Sequence, residues 1–403
     1  MRVASLDLIR GVAVLGILAI NIAGFSGPSA GTLSPNLPAP VEAWDQAAFA
    51  FGFVVFEGKM RALFAILFGA SMALFIDRTD AREEDGDAMQ IRRLAWLMLF
   101  GIAHYVLLWW GDILFSYGAC GVILLLVHRL PDRLLGSIAA VVFTVLHLQG
   151  ALATMPMIAA EDAFRLDQAT TEQASMVAQY YDYLNTTVRQ EISQYGGGFW
   201  HIMAVKLREH PFWLLAGVRD GFAEFLPLMA LGLILQRRGF FNATGSSRSL
   251  LAFGVGASVA GIAATLATLR WLWPRHFPPI AMEAALRYDL ALPHVLTALG
   301  YAALLVWATP RLSRNVIAGR IAAAGRMAFS NYLGTSLVMT GVFYGWGLGL
   351  FGRFGPLAQW AFVLLGWALM LGWSKPWLDR WRRGPLEWLW RSAVERQILP
   401  NRR

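Results

Sequence analysis

RRLAWLMLFGIAHYVLLWWGDILFSYGACG, residues 92–121, decides the fold. Two apolar runs meet at Trp109-Trp110-Gly111-Asp112, and a histidine, His104, lies inside the first. An ionisable group within a bilayer-spanning run is expensive and is a functional candidate by default. Working outward, the same apolar character recurs along the chain. Of its 403 residues, 57% are hydrophobic and only 15% charged, and the mean hydropathy is +0.50. A soluble protein carries roughly 25% charge, so a soluble α-helical core is excluded. The expected fold is all-α, a polytopic membrane bundle of about ten spans.

Those spans are expected near residues 8–25, 60–77, 92–110, 113–128, 134–156, 217–236, 249–271, 290–309, 321–341 and 357–374. The first run is too long for a signal peptide's apolar region and lacks a clear small-residue cleavage site. Most of the 34 Lys and Arg then fall on one side, including Arg78, Arg92, Arg237, Arg311 and the tail from Lys375 onward. That asymmetry predicts both termini inside. It also explains the pI near 9.9 without nucleic acid, since the arginines are spread over loops.

The chain divides into residues 1–156 (five spans, with an external loop at 28–58), an external helical segment at 157–216, five further spans at 217–374, and a cytoplasmic amphipathic tail at 375–403. Within 157–216 a helix is expected from Thr171 to Gln194, broken by Gly196-Gly197-Gly198. Phe199–Leu215 reads as an interfacial helix.

Depth follows from the 1.5 Å helical rise. His104 lies roughly 17 Å from Arg93, and Glu224 and His294 lie about 20 and 24 Å from Arg237 and Pro310. Glu57, Lys59, Arg61 and Asp112 sit near the outer boundary. One shared polar cavity in the outer half accounts for all of them. His104 is either a hydrogen-bonded packing residue or a general base or nucleophile. Asp112 is about 12 Å from His104 along an unbroken helix, so contact requires a break at Gly111. Its simpler role is to cap the next helix. Glu57 and Arg61 have i,i+4 spacing, Asp7 and Arg10 i,i+3, and Glu387 and Arg391 i,i+4 on the tail. Asn21 and Asn331 read as interhelical hydrogen-bonding residues. Asn331 also joins Arg61, Lys59 and Glu224 as a substrate-binding candidate, beside His104, Asp112 and Glu57 as catalytic ones.

No nucleotide loop, zinc-protease motif, serine-hydrolase elbow or EF-hand is present. The single cysteine, Cys120, excludes an intrachain disulfide, and no metal or haem site is expected.

Six stretches, SLDLIRGVAVLGILAIN, EGKMRALFAILFG, GIAHYVLLWWGDILFSYG, GRMAFSNYLGTSLV, FYGWGLGLFG and GPLEWLWRS, together resemble the YeiB-like family of bacterial inner-membrane proteins, a domain of unknown function. The resemblance runs from residue 5 to about 395. It implies kinship with transmembrane acyltransferases, including the lysosomal enzyme that acetylates terminal glucosamine of heparan sulfate. By that resemblance an acyl group passes from cytoplasmic acyl-CoA to an acceptor on the far side, and a buried histidine is base or acyl carrier. That group carries its histidine between the first two spans. Residues 26–59 here contain none, so the role falls to His104. Membrane lipids, a small-molecule, glycan or lipid acceptor, and a homo-oligomeric partner are the expected associations. A transporter or exporter using the same polar residues is the alternative reading.

Overall fold

The computed structural model describes residues 3–242 and 247–403, and its regular structure is helical. In order come α1 (Ala4–Ser26), α2 (Ala30–Leu33), α3 (Ala43–Val55), α4 (Lys59–Asp80), α5 (Gly86–Leu107) and α6 (Leu114–Val127). Next are α7 (Asp132–Arg165), α8 (Thr171–Tyr195), α9 (Phe199–Glu209), α10 (Trp213–Arg237) and α11 (Arg248–Leu272). The chain closes with α12 (Pro279–Ala284), α13 (Ala291–Ala308), α14 (Val316–Arg326), α15 (Ala328–Phe343), α16 (Pro356–Arg380) and α17 (Pro385–Glu395).

Six of the described helical segments are long and apolar enough to cross a bilayer: α1, the stretch Ala43–Asp80, α7, Arg248–Arg275, α13 and α16. The chain is a helical membrane protein. Helices α5 and α10 are equally long, but both carry several charged residues. The expected run at 321–341 is broken at Met327, where α14 ends and α15 begins. Helix α7 continues through Pro156 to Arg165, so the boundary expected at 156 falls inside a helix.

The centre of the bundle is where glycines let backbones touch. A side chain on Gly69 of α4 would collide with the Met229 carbonyl of α10, and one on Gly232 of α10 would collide with the Ile66 carbonyl of α4. Gly11 of α1 and Gly325 of α14 make the same kind of approach, against Ile321 and Asp7. Lipid supplies no hydrophobic drive between helices, so this close packing is what holds them. Gly232→Val is therefore expected to lose 3 kcal/mol or about that, from overpacking against backbone that cannot yield. The check is folded yield after detergent extraction. A wild-type yield and melting point would contradict the described crossing.

The segment at 157–216 is less independent than its polarity suggests. Helix α8 begins at a Thr170–Gln173 capping box, as its sequence encodes. Its last turn bonds back into the bundle, Gly345 donating its N–H to the Tyr195 carbonyl at 2.8 Å. The tail is likewise built in. In α17 the Trp390 indole donates to the Arg93 carbonyl at 3.1 Å, and Glu387 accepts the Phe329 and Ser330 N–H groups at 2.9 and 3.0 Å. Glu387 thus caps α15. The expected Glu387–Arg391 pair does not form, and Arg391 pairs with Glu395 at 2.6 Å.

Candidate functional site

Helix α5 ends just past His104, whose carbonyl accepts the N–H groups of both Leu108 and Trp109. Residues 108–113 then cross as a non-helical loop before α6 starts. Aromatic residues pin this loop. The Trp109 ring stacks on Phe25 at 4.1 Å and its indole N–H donates to the Gly24 carbonyl. The Trp213 indole donates to the Trp110 carbonyl, and the Tyr332 hydroxyl to the Gly111 carbonyl. Gly101 makes room for the return, since a Cβ there would lie 2.8 Å from Asp112 Oδ1.

The break brings Asp112 back onto α5. Its Oδ2 lies 2.8 Å from His104 Nδ1, and both side chains are fully buried. Its Oδ1 accepts the Phe115 N–H at 2.8 Å, so the same carboxylate also caps α6. Cap and partner are one residue. On the other side of the ring, His104 Nε2 lies 2.9 Å from Ser336 Oγ of α15. Ser336 escaped the sequence reading because it is one of several hydroxyls in its helix, beside Thr335 and Thr340, and lies 232 positions from its partner. No motif marks it.

A large cavity approaches this relay. It encloses about 580 Å³ between α1, α4, α5, α6, α15 and α17. Its mouth lies where α1 and α5 begin and α4 and α16 end, and carries Arg10, Arg78, Arg82, Arg326, Arg382 and Arg391. Deeper walls are apolar, with Phe64, Leu67, Phe68, Leu97 and Leu114, and Tyr332 and Ile17 stand at its margin. Those two residues also line a small void shared with Ser336, Thr335 and Asn21. Tyr332 packs on the His104 ring at 5.1 Å. A single side-chain layer therefore separates the cavity from the relay.

The remaining expected residues form a second centre. Arg61 makes a two-oxygen contact with Glu224, at 2.9 and 3.2 Å, and meets Glu57 at 3.3 Å. Their side chains are 18–28% exposed, so the cluster opens to the surface of the bundle. No hydrogen bond or ion pair among the described residues joins them to His104. The expected single chamber resolves into two centres, linked by Tyr117, which lines the cavity and donates to the Arg61 carbonyl at 3.1 Å. Lys59 does not face that cluster's opening. The turn at Gly58, with φ of +69°, sends it back so that Nζ donates to the Phe53 carbonyl at 2.9 Å, fully buried. Asn331 is spent on packing: its amide donates to Ala324 and Ser374, and its oxygen accepts the Trp373 indole. His294 is buried beside Gly58, its Nε2 unpartnered among the described residues.

Residues 235–397 match the family described as a protein of unknown function, DUF418. The chain is 32% identical over 406 residues to the uncharacterized protein YeiB of Escherichia coli (strain K12), covering 99% of this chain and 98% of that one. The chain belongs to the YeiB-like DUF418 family. A second relative, the uncharacterized protein YxaH of Bacillus subtilis (strain 168), is 28% identical over 98% of this chain and 94% of its own. No solved structure matches significantly. In this YeiB-like chain the family match runs from the end of α10 through α17, and so includes Ser336, Tyr332 and part of the arginine mouth.

One further lysine braces the relay from α9. Lys206 of α9 is buried and donates from Nζ to the carbonyls of Tyr105 and Leu108, at 2.9 and 3.1 Å, where α5 unwinds. Burial pulls its pKa down from 10.5 to about 7. The unfolded chain therefore keeps a proton that the folded chain sheds between those values, and stability is expected to rise as pH is raised through that window. Melting temperatures measured from pH 7 to 10 check this. Lys206→Met should flatten the rise, and an unchanged slope would contradict it.

Proposed function

We propose that this YeiB-like protein is an acyltransferase of the bacterial inner membrane. It moves an acetyl-like group from a cytoplasmic CoA thioester to an acceptor at the outer side. The observation that carries this reading is the cavity, which joins an arginine-rich mouth to an apolar bore and ends one side-chain layer from the His104–Asp112 pair. Arginine's planar fork suits phosphate oxygens, and a slender apolar passage suits a pantetheine arm and its acyl end. In this reading the chain crosses the membrane about ten times with both termini inside, which places the mouth in the cytoplasm. The positive-inside distribution and the gathering of arginines at one end of the bundle support that orientation.

His104 is the proton acceptor. Asp112 fixes the ring and balances the imidazolium formed when a proton arrives. The acceptor approaches from the side of Glu57, Arg61 and Glu224, where partial exposure admits a polar molecule. Glu57 therefore belongs to acceptor binding and not to proton transfer. The carboxylate pair around Arg61 favours a neutral or cationic acceptor over the anionic one that Arg61 alone would suggest.

The test is turnover by the full chain in proteoliposomes, with labelled acetyl-CoA outside and candidate acceptors inside. Each charge-assisted phosphate contact is worth about 1.5–3 kcal/mol. Arg82→Gln and Arg382→Gln are each expected to raise the donor KM about tenfold or more while sparing kcat. An unaltered KM in both variants would remove the mouth from donor binding. Solute uptake without thioester consumption would replace the enzyme by a transporter.

A further inference from the structure

The relay has a third member that the acyl-transfer reading does not need. Asp112 Oδ2, His104 Nδ1, His104 Nε2 and Ser336 Oγ follow one another at 2.8 and 2.9 Å, an acid–imidazole–hydroxyl chain assembled from three separate segments. We propose that Ser336 is the nucleophile, carrying the acyl group as an ester between donor and acceptor. The proposal rests on the acyl-transfer reading for the identity of its donor.

The partners dictate the proton positions. An ionised carboxylate only accepts, so the Asp112 side of the ring takes the N–H at Nδ1 and leaves Nε2 with a free lone pair. The Ser336 hydroxyl has two acceptors in reach, the Tyr332 carbonyl of its own helix at 3.2 Å and Nε2 at 2.9 Å, and turning its proton to the nearer Nε2 gives the arrangement that activates a serine. The Phe115 N–H on the other carboxylate oxygen holds Asp112 in place. A packing lock between α5 and α15 would require only the imidazole and the hydroxyl. Burying a carboxylate behind them costs several kcal/mol; capping α6 occupies one of its oxygens, and the second, set on Nδ1, equips the ring to accept a proton.

The surroundings fit the chemistry. Ser336 lies on a small void that also touches Asn21 and Thr335. Among the described residues the Asn21 carboxamide makes no hydrogen bond, so its N–H groups are available to a carbonyl oxygen that becomes negative. The serine itself is fully buried, which shields an ester from hydrolysis. Ile17 and Tyr332 line both the void and the large cavity, so displacement of these side chains connects the donor's bore to Ser336.

Atoms balance in two steps. Ser336 Oγ attacks the thioester carbonyl while His104 Nε2 takes the hydroxyl proton. The C–S bond breaks, and the departing thiolate takes that proton from His104. The acceptor O–H or N–H then attacks the Ser336 ester. Its proton passes to His104 Nε2 and on to Ser336 Oγ as the ester C–O bond breaks. Nothing is oxidised or reduced.

Two probes test this on the full chain. An alkyl fluorophosphonate followed by peptide mass spectrometry reports nucleophile activation without reference to CoA. Acetyl-CoA without acceptor reports the intermediate. Wild type is expected to take both labels on Ser336, and the acetyl adduct should survive neutral hydroxylamine as an oxygen ester does. Ser336→Ala should lose both labels and at least 10³-fold in turnover, with a melting temperature within a few degrees of wild type. Ser336→Cys should form a thioester that hydroxylamine cleaves. Should Ser336→Ala fold poorly, His104→Gln should remove fluorophosphonate labelling from an intact Ser336. Thioester turnover by Ser336→Ala within threefold of wild type, or a hydroxylamine-labile adduct on His104, would overturn the nucleophile while leaving acyl transfer standing. Labelling of Ser336 without consumption of acetyl-CoA would leave the nucleophile standing and overturn the donor.

Discussion

His104→Ala is expected to lower acyl-transfer turnover by about 10³- to 10⁴-fold, the span that general base catalysis contributes. The loss should fall on kcat, because the ring lies behind Tyr332 and outside the walls of the donor cavity. Stability should also fall. The substitution leaves Asp112 and Ser336 without their shared partner, and an uncompensated buried carboxylate costs several kcal/mol. His104→Gln separates the two effects, since an amide can still donate toward Asp112 yet cannot take a proton at neutral pH. The assay is thioester consumption by protein that passes a thermal-shift check. Turnover within threefold of wild type in folded His104→Gln would remove His104 from the chemistry.

Asp112→Asn should cost nearly as much, by a different route. The amide keeps its size and can still accept the Phe115 N–H, so α6 remains capped. What changes is the far side. An Asn amide facing His104 Nδ1 can donate, which favours the tautomer with its proton on Nε2, and that nitrogen then no longer accepts from Ser336. In serine proteases the equivalent exchange lowers kcat about 10⁴-fold with geometry intact. The expected pattern is a large kcat loss, an unaltered donor KM and a modest change in melting temperature. A kcat within tenfold of wild type would reduce Asp112 to its capping role.

Much of the fold was legible because hydropathy and helix length are local properties. The Asp112–His104 contact was legible only as a condition: Gly111 had to break the helix. The structure meets the condition earlier, at Leu108, because Trp109, Trp213 and Tyr332 hold the unwound loop from three other segments. The arginine mouth lay outside the reach of sequence. Arg10, Arg82, Arg326 and Arg391 come from distant segments, and each alone reads as a topology signal. Only packing of α1, the turn after α4, α14 and α17 gathers them at one opening. Lys59 and Asn331 show polarity used for structure, which for Asn331 is the interhelical role its place in an apolar run suggests. Both are polar at a suggestive depth, yet a positive-φ turn at Gly58 folds one inward, and helix packing consumes the other. Glu387 was paired by spacing with Arg391, but its nearest unsatisfied donors were backbone N–H groups of α15, 57 and 58 residues away.

The most direct measurement is a structure of the full chain bound to a non-hydrolysable acyl-CoA thioether. The account predicts phosphates at the arginine mouth, the pantetheine arm along Phe64, Leu67 and Leu114, and the acyl end beside a displaced Tyr332, within reach of Ser336. An analogue bound elsewhere, or a bore filled by lipid chains with the arginines left unoccupied by phosphate, would contradict it.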